Sequence, residues 1–228
     1  MCPELHFIKV LYNLYLFLNY IMMNLVFVTA QPDVPYFHWQ SRVYVNNFIE
    51  KGISSDKIHI IFGVVNTDKQ PSKESLSLKE LGVNVHHYYD DRVKKNYIPS
   101  IKPFLISKWL KEYPQLGECF FLHDADIIFR ILPDFNKLLN DNVSYLSDTI
   151  GYIGYNYIND CCLRYESHHP NSSKGQLIQE MADVIGISVD VIKNNQDNSG
   201  GGQYIIKNTN WELWDKIYSD CTPSSNEQ

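Results

Sequence analysis

Apolar and polar positions along this chain fall into blocks that read as strand, helix, strand. Asn24–Ala30 (Asn-Leu-Val-Phe-Val-Thr-Ala) is a short apolar run that predicts a first strand. Tyr36, Trp39, Val43 and Phe48 follow at imperfect helical spacing, interrupted by Asn46-Asn47 and ended at Gly52. Next come a strand at His59–Val64, a helix around Lys73–Leu81 closed by Gly82, and a strand at Asn84–Tyr89. Ile101–Tyr113 reads as a helix broken near its start by Pro103. Three strand–helix units in series predict a parallel sheet with helices on both faces. Beyond Asp126 the pattern changes to a loop and short helix over Ile131–Leu139 and strands at Val143–Leu146 and Gly151–Ile158. Helices follow at Gly175–Ile185, Val189–Lys193 and Trp211–Ser219. The expected class is α/β, with a mixed, mainly parallel central sheet flanked by helices. Residues 23–221 read as one domain, after an extension over 1–22 and before a frayed tail over 222–228.

The chemistry enters at Glu-Cys-Phe-Phe-Leu-His-Asp-Ala-Asp-Ile-Ile-Phe, residues 118–129, an apolar strand running into Asp124 and Asp126. Strand alternation would turn both carboxylates to one side while Ala125 packs behind them. Paired carboxylates at a sheet's C-terminal edge suit a hard divalent cation, and a cation there suits a diphosphate substrate. Ligand sites of open α/β sheets lie at that edge. The plain alternative is a helix cap beside a solvated Asp, since a motif this short arises by chance roughly once in a chain of this composition.

Composition narrows the field. A net charge of −6 and the lack of a basic patch argue against nucleic acid as a partner. Aromatic residues make up 14% of the chain, which suits a sugar- or base-stacking cleft as well as ordinary packing. The five cysteines show no zinc spacing and read as reduced thiols, which points to the cytoplasm. The sequons at Asn142 and Asn171 matter only in a secreted chain. No residue between Lys9 and Asp33 is charged. Without the first strand that stretch leaves about thirteen residues, too short to span a bilayer but long enough for a signal-peptide core. Residues 1–22 are read as an upstream extension, with an anchor or signal as the alternative. Membrane association would rest on residues 10–22 alone.

Four segments together carry a resemblance: Val26-Phe-Val-Thr-Ala-Gln-Pro-Asp33, Tyr97-Ile-Pro-Ser-Ile-Lys-Pro103, His123-Asp-Ala-Asp126 and Asn198-Ser-Gly-Gly-Gly-Gln-Tyr204. Over roughly residues 24–217 the chain resembles nucleotide-sugar-dependent glycosyltransferases of the GT-A fold, with the acidic pair as their Asp-x-Asp motif. Within them it is similar to viral and phage enzymes distantly related to peptidyl-serine galactosyltransferases, which implies a viral protein acting in host cytoplasm. The resemblance implies a UDP-sugar donor, a glycan or protein acceptor, and Mn²⁺ or Mg²⁺. Asp126 would be the principal metal ligand, with Asp124 sharing the metal or reaching the ribose. Gln31, Pro32 and Asp33 would border the nucleoside, and Ser100 and Lys102 would meet the diphosphate or sugar. Ala125, Gly201 and Gly202 would let the backbone approach the donor. Gln203 would stand near the anomeric carbon, which suits retention, while Asp148 and Asp197 are candidate bases for inversion. Each also has an ordinary structural reading as a turn, cap or surface residue.

One departure stands out. Many relatives complete the metal site with a C-terminal His, yet no His follows His169. The third ligand would then be water, a donor phosphate, or a group beyond the chain's end. Two other readings stay open: a non-catalytic sugar- or nucleotide-binding module, and a haloacid-dehalogenase-like phosphatase. The phosphatase carries its Asp-x-Asp on the first strand, whereas more than a hundred residues precede this one.

Overall fold

The computed structural model describes residues 25–93, 95, 97–168 and 176–221. The expected segments 1–22 and 222–228 lie outside the described residues, as does the sequon at Asn171. Six strands form one sheet: β1 (Val26–Pro32), β2 (Ile58–Val64), β3 (Asn84–Tyr89), β4 (Cys119–Leu122), β5 (Tyr145–Asp148) and β6 (Gly200–Lys207). Their order is β3-β2-β1-β4-β6-β5. The first four run parallel, while β6 is antiparallel to both β4 and β5. The α/β architecture implied by the sequence is therefore present.

β1 and β2 are near-continuous apolar runs because both faces of the sheet are covered. Alternate residues of β1 feed two cores. On one face Phe27 packs with Phe62 and Phe121 against Tyr44, Val45 and Phe48 of helix α1 (Pro35–Glu50). On the other, Val26, Val28 and Ala30 pack against Leu105, Ile106 and Trp109 of α3 (Ile101–Glu112), with Trp214 of α9 (Trp211–Asp220) closing the layer. Truncating a fully buried side chain such as Phe48 to Ala is expected to cost about 3–5 kcal/mol.

Several local expectations need correction. The stripe of Tyr36, Trp39 and Val43 faces solvent, and α1 instead buries His38, Gln40, Ser41, Tyr44, Val45 and Phe48. That polar face stays buried because β1 satisfies it: Gln31 Nε2 donates to Ser41 Oγ at 2.7 Å, and Thr29 and Tyr44 share a 2.9 Å hydrogen bond. The helix from Lys73 is α2 (Lys73–Ser77), continued by a 3₁₀ turn over Leu78–Leu81. Pro103 does not break α3, because in the first turn its missing N–H costs no intrahelical bond.

Gly151–Ile158 is not a strand. After α4 (Phe135–Leu139) it forms α5 (Ile150–Ile153) and the start of α6 (Tyr155–His168). β5, the outermost strand, pairs with β6 alone, and this segment packs as helices beside β6 without joining its edge. α7 (Leu177–Ile185) and α8 (Val189–Asn194) complete this helical segment.

Candidate functional site

β4 ends at Leu122, which pairs with Val28 on one side and Tyr204 on the other. The acidic pair therefore lies in the turn just beyond the strand and not on it. The alternation survives nevertheless: Ala125 is buried, Asp124 half-buried and Asp126 exposed. His123 anchors the turn. Its ring packs among Tyr44, Phe48 and Phe121, and its Nδ1–H donates to the Asp124 carbonyl at 2.9 Å. Burial pushes its pKa down to about 4, so the ring is neutral at physiological pH.

Two cavities meet at this turn. The smaller, about 290 Å³, is lined by Gln31, Pro32, Tyr36, Phe37, Gln40, Lys102, Asp124 and Ala125, with Asp126. The larger, about 620 Å³, is lined by Asp126, Ile127, Ile128, Phe129, Tyr145, Leu146, Ser147 and Gln203, among others. Among the described residues Asp126 is the one that lines both.

The charges around the junction are arranged unequally. Lys102, in the first turn of α3, donates to Oδ1 of Asp124. Asp126 has neither a hydrogen bond nor an ion pair among the described residues. Gly202 sits at φ +81°, a backbone conformation that L side chains resist, and a Cβ there would stand 3.6 Å from Asp124 Oδ2. Gly201, whose carbonyl accepts from Ser147 Oγ, precedes it on β6. The Gln203 backbone N–H points to the same hydroxyl at 3.4 Å, and its amide side chain is unpaired among the described residues. Burial, and then the negative charge of Asp124, raise the pKa of the nearby Tyr204 phenol.

Other residues singled out in the sequence have structural partners instead. Asp33 is buried and accepts from His38 Nε2 (2.6 Å), Ser72 N–H (2.8 Å) and Ser72 Oγ (2.6 Å). Burial raises its pKa, but the hydrogen bonds from Ser72 and His38 outweigh that and hold it below the ordinary value. Asp33 thus ties the end of β1 to the start of α2 and lines neither cavity. Ser100 is also buried, accepting from Arg92 Nη1 at 2.8 Å and donating to the Tyr97 carbonyl at 2.8 Å. Asp148 and Asp197 come together, but in a third depression of about 320 Å³ beside Ser144 and Asn198.

Sequence reasoning passed over two sets of residues. Tyr36 and Gln40 line the smaller cavity from α1. Asp90 and Arg92 form a buried two-pronged ion pair (2.9 and 3.0 Å) that fixes the approach to Ser100 and α3. The signal for the second was present: Asp90-Asp-Arg92 closes a strand with adjacent opposite charges.

Asp124 and Asp126 offer hard oxygen donors, one of them free, beside a lysine. That donor chemistry fits a cation held by one or two carboxylates and completed by phosphate oxygens and water. Among the described residues no group of three or more His, Cys, Asp or Glu side chains gathers as a metal cage. The four described cysteines are free thiols. No helix among the described residues is long and apolar enough to cross a membrane.

No protein-family model matches the sequence, and no curated protein matches it. Among solved structures, the apo structure of the WbbM bifunctional glycosyltransferase is similar over 86% of this chain, with a TM-score of 0.44 and 10% identity. The chain spans about a third of that protein, 33% of its length.

Proposed function

We propose that this protein is a glycosyltransferase that moves a sugar from a nucleoside diphosphate to an acceptor hydroxyl. The observation that carries the reading is the unpaired Asp126 carboxylate at the junction of two cavities, with Lys102 and Asp124 on one side and Gln203 on the other. A two-substrate transfer needs such a junction, since donor and acceptor must approach one reacting carbon from different compartments.

The smaller cavity takes the donor. Tyr36 and Phe37 offer ring surface to a nucleobase, and the Gln31 and Gln40 amides offer hydrogen bonds to it. UDP is the nucleotide the resemblance implies. Lys102 meets the diphosphate as a point charge. Mn²⁺ or Mg²⁺, held by Asp126 with Asp124, would supply Lewis-acid neutralisation of the leaving group.

In the transfer, the bond between the anomeric carbon and the β-phosphate oxygen breaks, and its electron pair leaves with the diphosphate. The acceptor oxygen bonds to the anomeric carbon and gives its proton to the departing phosphate oxygen on the same face, which retains configuration. The Gln203 amide orients the sugar between the two. Gly202 keeps the backbone low enough for close approach. Asp148 and Asp197, in their own depression, take no part in this scheme.

The test is calorimetric titration of UDP- and GDP-sugars, with and without Mn²⁺, into wild type and Asp126→Ala. Metal-dependent binding of one donor that disappears in the variant supports the transferase site. Donor binding without turnover toward any acceptor would leave a sugar-nucleotide-binding module. Absence of donor binding by folded wild type overturns the proposal.

A further inference from the structure

The larger cavity is walled mainly by apolar and aromatic side chains and offers few hydrogen-bonding groups to the many hydroxyls of a free oligosaccharide. Its walls are Ile128, Phe129, Pro133 and Leu138 from the segment after the acidic turn, with Tyr145 and Leu146 from β5. Its polar groups are few and mostly committed. Tyr145 OH donates to Asp141 Oδ2 at 2.5 Å, and Ser147 Oγ is held by the Gly201 carbonyl. The Tyr204 phenol accepts from the Gly202 N–H, and among the described residues the lining side chains left without a hydrogen-bond partner are the Asp126 carboxylate and the Gln203 amide. Both line the larger cavity, and Asp126 also lines the smaller one.

Ile128 is 59% exposed and Leu146 44% exposed, although both border this space. Large apolar side chains left open around a concave site mark a surface awaiting an apolar ligand. A volume of about 620 Å³ falls within the range of small-molecule sites. A sugar hydroxyl pressed against these walls would lose water without gaining a partner. Aryl or alkyl surface would gain from the same contact.

We infer that the acceptor is an alcohol or phenol carried on an apolar, aryl- or alkyl-sized group. That group fills the larger cavity and presents its hydroxyl beside Asp126 and Gln203. This inference rests on the transferase reading and assigns its acceptor class. The reaction balances as written above: the acceptor O–H proton passes to the diphosphate, and the acceptor oxygen keeps the sugar.

The experiment uses the full chain with Mn²⁺ and runs two independent titrations. UDP reports the donor side. On the acceptor side 4-nitrophenol, hexan-1-ol and p-nitrophenyl β-glucoside are compared with glucose and methyl β-glucoside. Wild type should bind the apolar probes at least about tenfold tighter than their polar counterparts, since each buries apolar surface. Ile128→Asn and Leu146→Asn, changes at exposed positions, should each reduce that preference to less than about threefold, with UDP affinity unaltered. Equal binding of apolar and polar probes, or a preference that survives both substitutions, overturns the acceptor assignment while leaving the donor site standing. Loss of UDP binding in wild type overturns the transferase reading itself, and the acceptor role falls with it.

Discussion

Lys102 Nζ donates to Oδ1 of Asp124, and this pairing leaves Asp126, two residues on, as the unpartnered carboxylate where the cavities meet. The two aspartates therefore differ in what they can lose. Asp126 is exposed and makes no hydrogen bond or ion pair among the described residues, so Asp126→Ala and Asp126→Asn should melt within about 0.5 kcal/mol of wild type. Sugar transfer should fall by at least about a hundredfold, the scale of losing one charge stabiliser at a reacting centre. Chelation of the metal should mimic the variants. Thermal melts beside radiolabelled transfer assays check both halves, and an active Asp126→Ala enzyme would place the chemistry elsewhere.

Lys102 answers to a different measurement. Its ion pair with Asp124 is partly exposed, so its removal in Lys102→Met should change stability by less than about 1 kcal/mol. A diphosphate entering the smaller cavity would lose a charge-assisted contact, weakening UDP binding about tenfold. Isothermal titration separates the outcomes. Unchanged UDP affinity would mean that the lysine serves only to position Asp124.

Gly202 holds a backbone conformation that a Cβ opposes. Gly202→Ala should destabilise the protein by about 1–2 kcal/mol through that strain alone. The added methyl would also stand at van der Waals distance from Asp124 Oδ2, so metal-dependent UDP binding should weaken beyond what partial unfolding explains. Titration at a temperature where the variant is fully folded isolates the second effect.

How far the sequence carried this reading varies by region, for physical reasons. β1, β2 and β4 were legible because strands covered on both faces are written as near-continuous apolar runs, whereas the half-buried edge strand β3 shows itself by its Val and Tyr residues. The face of α1 was not, because its buried positions include the polar Ser41 and Tyr44, whose partners Gln31 and Thr29 are found only once the strand lies beside the helix. Gly151–Ile158 misled in the opposite sense: Tyr152, Ile153, Tyr155, Tyr157 and Ile158 have strand-like propensity, yet tertiary context placed them on helices. The residues at the junction were named in advance. Asp33 and Ser100 were named too, but internal hydrogen bonds occupy them, and no local pattern distinguishes a ligand-facing carboxylate from one committed to a neighbouring helix.

Arg92 shows what supports the smaller cavity from outside. Its guanidinium holds Asp90 through two bonds and Ser100 through a third, all buried. Arg92→Ala leaves the Asp90 carboxylate buried without its partner and should cost about 3–5 kcal/mol. Replacing both partners by apolar residues, as Asp90→Leu with Arg92→Met, should recover much of that loss. A double-mutant cycle in urea provides the measurement, and equal instability of single and double variants would show that Ser100 and the Tyr97 turn matter more than the ion pair.

The far end of the sheet supplies a pH dependence separate from any chemistry. His59 and His86, on β2 and β3, stack at 5.3 Å with a 3.0 Å Nδ1···Nε2 hydrogen bond, beneath Trp109. Burial, reinforced by the neighbouring ring, pushes His59 down to about 3, and burial pushes His86 down to about 4. In the unfolded chain both titrate near the ordinary value of 6.5. Between those values the unfolded state binds the extra protons, so stability is full above about pH 6.5 and is lost as pH falls toward 4. Each histidine contributes at most about 1.4 kcal/mol per pH unit over that window. Urea unfolding at pH 7, 6, 5 and 4.5 should show the decline in wild type. His86→Leu should flatten the slope, with buried His59, half-buried His87 and buried His123, all lowered, leaving a remainder. An unaltered slope in His86→Leu would show that this pair is not where the folded protein refuses protons.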